Sequence, residues 1–196
     1  MNRYWPVLFF VFCSAQSHAD DAAIILDTPV NRLYNVGAEI ARQGCGKTIS
    51  VDTALAKDEA GTVVGKRVKT TCQGKVLRHY QPAHSKSATR TLTGLRLFAK
   101  DSRLPKYAQI GSPQSAIEME LGAPAAFEIP SEILKDIGAE KASAIFYIVP
   151  AEGPDSSVIV MSFRDGHLVN IYWSFSRLWA NHSFQGTLRD EAAQRP

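Results

Sequence analysis

The sequence predicts an α+β protein of two helix-plus-antiparallel-sheet units, the C-terminal one a short helix packed on a three-stranded meander. Three observations predict it. Apolar residues at helical spacing occur twice, near 28–44 and 111–124, each time ahead of a run of strands. Period-two stretches separated by Gly, Asn, Asp and Pro signals follow each of them. The chain has 196 residues, 45% hydrophobic and 21% charged, which is globular composition and excludes bulk disorder, collagen-like repeats and a multi-span membrane protein.

Residues 1–19 have the layout of a cleavable signal peptide. Arg3 and the amino terminus give a positive start, residues 5–13 an apolar run too short to span a bilayer, and Ser17-His18-Ala19 small residues at the −3 and −1 positions. Lipid attachment at Cys13 is the alternative, but Phe12 stands where a small residue is usual. The expectation is a periplasmic chain with no transmembrane segment after cleavage. Export governs the cysteines: Cys45 and Cys72 remain in the mature chain, and two cysteines in an oxidising compartment are expected to pair.

The N-terminal unit is assigned to residues 20–105. Thr28 is the expected N-cap of a helix with Pro29 in its first position, Val30, Leu33, Gly37, Ile40 and Ala41 on one face, and Gly44 as its stop. Strands are expected at 47–57, 63–72, 75–80 and 91–98, with turns at 58–61 and Gln73-Gly74. Residues 100–110, with Asp101, Pro105 and Lys106, read as the seam.

The C-terminal unit is assigned to residues 106–180, and a polar tail to 181–196. Ser112 is the expected N-cap of its helix, Ile117 and Leu121 its buried pair, and Gly122 and Pro124 its stop. One further helical turn is expected at 131–137. Strands at 144–149, 156–164 and 167–176 follow. Asp165-Gly166 joins the last two as a two-residue hairpin, which pairs Arg164 with His167, Phe163 with Leu168, Met161 with Asn170 and Ile159 with Tyr172. Both faces of that hairpin are apolar, so something besides its own helix must cover one of them.

Charge is uneven. Residues 20–110 carry 15 Lys/Arg against 8 Asp/Glu, whereas residues 111–196 carry 6 against 11. Between Gly61 and Lys100 there are nine basic residues and no acidic one. Alternation places Lys66, Arg78 and Arg96 outward on a sheet, with Val64, Val68 and Val76 inward. A solvated face is one reading and a contact for an anionic partner the other. The compartment and the sparse aromatics (Tyr80, Phe98) argue against nucleic acid.

Catalytic and cofactor motifs are wanting. Gly44-Cys45-Gly46-Lys47-Thr48 resembles the end of a phosphate-binding loop, but Ala41 replaces its first glycine and the motif leaves a helix instead of opening one. His79 and His84 have no carboxylate or cysteine between them, so no metal site is expected. His167 lies beside Asp165, but Ser162 has no nucleophile elbow. Glu118 and Glu120 point to different helix faces, and Glu128 and Glu132 lack apolar surroundings that would raise a carboxyl pKa. No cofactor is expected. Of the aromatics from Phe146 to Trp179, Tyr172, with Met161 and Phe163 on the face assigned to it, is the candidate for partner contact.

The motifs Gly111-Ser112-Pro113, Leu121-Gly122-Ala123-Pro124, a strand carrying Tyr147, and Phe163-Arg164-Asp165-Gly166 before a last strand resemble the SmpA/OmlA-type outer-membrane lipoprotein domain and the related beta-lactamase-inhibitor-protein fold. The resemblance covers about residues 106–176. It implies a non-enzymatic periplasmic module that presents a curved sheet to a protein partner. The chain departs from it in the residues between Pro124 and Ala144 and in having an N-terminal half of its own, which could be a diverged second copy. The expected function is therefore binding of a protein in the cell envelope, as an inhibitor or immunity protein or as an envelope accessory factor. An envelope-acting hydrolase is the alternative from another class.

Overall fold

The computed structural model describes residues 27–58, 60–83, 90–126, 134–135, 137–139, 141–149 and 157–175. Residues 1–26 with Cys13, Glu128, Glu132, Trp179, most of the expected turn at 131–137 and residues 181–196 lie outside the described residues. In chain order the elements are α1 (Pro29–Arg42), β1 (Thr48–Lys57), β2 (Val63–Cys72), β3 (Lys75–Pro82), β4 (Thr91–Leu97), a 3-10 turn (Lys106–Ala108), α2 (Gln114–Leu121), β5 (Ser143–Val149), β6 (Ser157–Arg164) and β7 (His167–Ser174). The class is α+β. All seven strands lie in one antiparallel sheet of order β1-β2-β3-β4-β7-β6-β5.

The two expected strand sets are both present, joined edge to edge. β4 pairs with β7, with Leu95 opposite Trp173 and Leu97 opposite Ile171. These four side chains alternate onto one face and give α1 a continuous apolar bed across the junction. The α1 helix starts as its sequence dictates: the Asn31 N–H donates to Thr28 Oγ1 at 3.2 Å, and Pro29 needs no N–H in the first turn. Gly44, at φ +66°, closes it by donating to the Ala41 carbonyl at 3.0 Å. Leu33 and Ile40 are buried against β4, β5 and β7, so one helix covers strands of both sets. The Trp173 Nε1–H donates to the Leu33 carbonyl at 3.2 Å, which satisfies the one polar atom of a buried indole. Cys45 and Cys72 are disulfide-bonded, Cα atoms 5.5 Å apart, and tie the exit of α1 to the end of β2.

The 100–110 stretch is packed. Leu104 and Ala108 are buried in the same core. The Gln109 amide donates to the carbonyls of Asp101 (2.9 Å) and Leu104 (2.7 Å), and Arg103 pairs with Asp101, whose carboxyl it holds below the ordinary range. Beyond it, the expected cap of α2 is corrected. Ser112 Oγ donates to the Lys106 carbonyl at 3.2 Å, and extended Pro113 occupies the capping position. The reason is that 111–114 runs alongside the start of β7: Gly111 N–H donates to Leu168 O, Leu168 N–H to Ser112 O and Gln114 N–H to Gly166 O, at 2.8, 2.9 and 2.9 Å. Ile117 and Leu121 are the buried pair of α2, as their spacing indicates.

The Asp165-Gly166 turn has positive φ at both residues, 53° and 72°, the geometry of a type I′ turn. Arg164 pairs with His167 and Phe163 with Leu168. Beyond them the expected register is off by one. Ser162 opposes Asn170, Met161 opposes Ile171, Val160 opposes Tyr172 and Ile159 opposes Trp173. Val169 is the extra residue of a β-bulge, which resets alternation along β7. Ile171 and Trp173 therefore join Met161 and Phe163 beneath the helices, and Tyr172 turns to the opposite face. There Ile137 and Ala139 pack over Phe146, Val160 and Tyr172, and supply the cover that an apolar second face requires.

Candidate functional site

The helix-free face of β1–β4 is the candidate site. Cross-strand pairing fixes who stands beside whom. One row across it is Asp52, Lys69, Arg78 and Gly94; a second is Ala54, Arg67 and Tyr80; a third is Ser50, Thr71, Val76, Arg96 and Tyr172. Arg67 and Lys69 are exposed, and Arg78 and Arg96 half-buried. Four cations thus share one sheet face, and Asp52 is the carboxylate in these rows.

The expected trio is redistributed. Arg78 and Arg96 share this face, but Lys66 opposes Leu55 and Gln81 on the other, together with Val64 and Val68, and Val76 lies between the arginines. Lys66 and Arg67 are adjacent in sequence, so composition could not tell which of them joins the cluster. Arg67 and Lys69 belong to it, and the pairing register is the signal that finds them. Met161, Phe163 and Tyr172, the aromatic-face candidates, are all buried: the first two lie beneath α1 and α2, and Tyr172 beneath Ile137 and Ala139.

Two tyrosines cross two glycines on this surface. The Tyr80 hydroxyl donates to the Val64 carbonyl at 2.8 Å, and a β-carbon at Gly65 would fall 2.6 Å from that hydroxyl oxygen. A β-carbon at Gly94 would likewise fall 2.6 Å from the Tyr172 hydroxyl oxygen. Each ring lies over the bare backbone of the neighbouring strand. The Arg78 guanidinium sits 5.8 Å from the Tyr172 ring centre, and that of Arg96 5.5 Å from the Phe98 ring centre. Arg96 also donates to the Gly138 carbonyl at 3.2 Å. Burial and the like charge of Arg78 pull the Arg96 pKa down, so the pair is set close despite mutual repulsion.

The other sequence candidates do not assemble into chemistry. His167 Nδ1 contacts the backbone oxygen of Asp165 at 2.8 Å, so the ring serves the turn. Ser162 is fully buried in the sheet. His79 lies on the α1 side, its pKa lowered by burial and by Arg90, and His84 is outside the described residues. No group of three or more His, Cys, Asp or Glu side chains placed to hold a metal occurs among the described residues. Gly46 and Lys47, from the phosphate-loop-like motif, line an open depression of about 350 Å³ with Lys75, Lys100, Asp101 and Arg103. Lys75 is committed there to the Ile40 carbonyl at 3.2 Å. Among the described residues no helix is long and apolar enough to cross a membrane. No protein family, curated protein or solved structure matches the chain at a significant level.

Proposed function

We propose that the chain is an exported, non-enzymatic binding module that docks a protein of the cell envelope against its helix-free sheet face, as an inhibitor or immunity protein or as an accessory factor. The observation that carries this is the placement of exposed Arg67 and Lys69 beside Arg78 and Arg96 on one sheet face, where Asp52 is the carboxylate among the described residues of their rows. Like charges held together on a sheet are destabilising, so an acidic partner is the natural complement. The disulfide suits an oxidising compartment, as does the signal-like leader. The resemblance of 106–176 to inhibitor-type sheet domains points the same way.

The mature chain is used as bait in periplasmic extract, and the recovered protein is titrated against variants at low and high salt. Replacing Arg67, Lys69 and Arg78 by Ser weakens binding at least tenfold at low salt and flattens its salt dependence. Lys66→Ser, on the opposite face, leaves both unchanged. Equal affinities and salt slopes for the triple variant and the wild type overturn the proposal.

A further inference from the structure

Among the described residues the sheet ends at β1, whose register irregularities lie at its two ends, at Thr48/Ser50 and Ala56/Lys57, and leave the stretch 50–56 regular. Between Ile49 and Ala56 it holds one charge, Asp52, and no proline. Ile49, Val51 and Leu55 are 65%, 55% and 53% exposed, and Val64 of β2 is exposed beside them. α1 lies over β4, β5 and β7, so among the described residues no helix lies above the helix-side surface of the β1–β2 hairpin. Among the described residues this is a ten-residue strand paired on one edge only, with an apolar stripe along one side.

We infer that β1 pairs antiparallel with β1 of a second copy of this chain, about a twofold axis through Thr53. The pattern of the strand carries the inference. Centred on Thr53, the pairing sets Val51 opposite Leu55 of the partner copy and Leu55 opposite Val51, Asp52 opposite Ala54, and Ser50 opposite Ala56. Val51 and Leu55, the large apolar residues in the middle of the stripe, then meet each other, Ile49 meets Lys57 at the strand margin, and no like charges stand directly opposite. Moving the axis to Asp52 opposes two carboxylates. Moving it to Ala54 sets Val51 against Lys57. A twofold perpendicular to the sheet keeps each surface on its own side. The two apolar stripes therefore fuse on the helix side, and the two basic faces lie side by side on the other. Such a contact is closed, so it ends at the dimer and does not propagate as a fibre.

This inference is independent of the basic face, and the test avoids that face. The mature, disulfide-bonded chain is studied by light scattering after size exclusion across a concentration series reaching about 200 µM, where a Kd in the micromolar range is visible. The expected result is a mass that doubles with concentration. The Val51→Lys, Leu55→Lys double variant should stay at monomer mass with an unchanged circular dichroism spectrum. Thr53→Cys should give a covalent dimer under mild oxidation, and Lys57→Cys should not. A wild-type chain that remains monomeric throughout overturns the inference, because the edge is then left free or covered by the chain's own ends. A dimer that survives the double variant, or that cross-links equally through position 57, overturns it in favour of another interface.

Discussion

Gly37 of α1 lies flat against the indole of Trp173: a β-carbon at position 37 would fall 2.4 Å from the ring. The helix can approach the sheet this closely only because it carries no side chain at that point. The approach brings the Leu33 carbonyl within reach of the indole N–H. Gly37→Ala should therefore destabilise the protein by about 1–3 kcal/mol through overpacking, although alanine is the better helix former by about 1 kcal/mol. Urea denaturation checks it, and a stabilised variant would mean that α1 does not sit at this depth.

The Cys45–Cys72 bond joins positions 27 apart in sequence. The purified mature protein should show no reactive thiol without reductant. The Cys45→Ser, Cys72→Ser double variant should lose about 3–4 kcal/mol, the loop-entropy value for a bridge of this span. Two thiols titrating in the native, unreduced chain would contradict the pairing.

Gly166 stands at φ +72°, in the left-handed region. Gly166→Val should cost about 2 kcal/mol, since a β-branched side chain is strained there. The turn also holds α2, through the bond from Gln114 N–H to the Gly166 carbonyl. Loss of amide-exchange protection at Gln114 should accompany the drop in melting temperature.

Burial, with Glu118 adding, pushes the Tyr147 phenol up to about 12, and its hydroxyl donates to the Gly122 carbonyl at 3.2 Å. In the unfolded chain the phenol titrates near about 10, so the unfolded state loses the proton first. This contribution to stability is full below the unfolded value and is lost as pH rises from there through the folded value. Tyr147→Phe should lower stability by about 1 kcal/mol at neutral pH and make the alkaline fall shallower. An unchanged slope above pH ~10 would show that the phenol is not shielded.

The elements themselves were legible because each is written locally. Thr28-Pro29 opens α1, Gly44 closes it, and Asp165-Gly166 sets a turn whose neighbours could only pair one way. What was not legible depends on which side a strand shows. In β7, Ile171, Tyr172 and Trp173 are all apolar, so nothing in the sequence marks the bulge at Val169, and unbroken alternation puts Tyr172 on the face that Trp173 occupies. In β2, Lys66 and Arg67 are both basic, and only pairing with Gln81 or Tyr80 separates them. Ser112 has the chemistry of a cap, but its segment is held against β7 first. The junction of β4 with β7 has no local signature, since neither strand's sequence names its neighbour.

That junction also bears on how the chain reaches its native state. Every other pair of adjacent strands is consecutive along the chain and can zip from a nearby turn. Leu95 and Trp173, by contrast, are 78 residues apart. The entropy of closing that long loop falls on one docking event, which makes it the slow step of assembly. Until it happens, β4 and β7 are both raw apolar margins. Misassembly between folding chains is therefore expected at this seam, in the centre of the finished sheet.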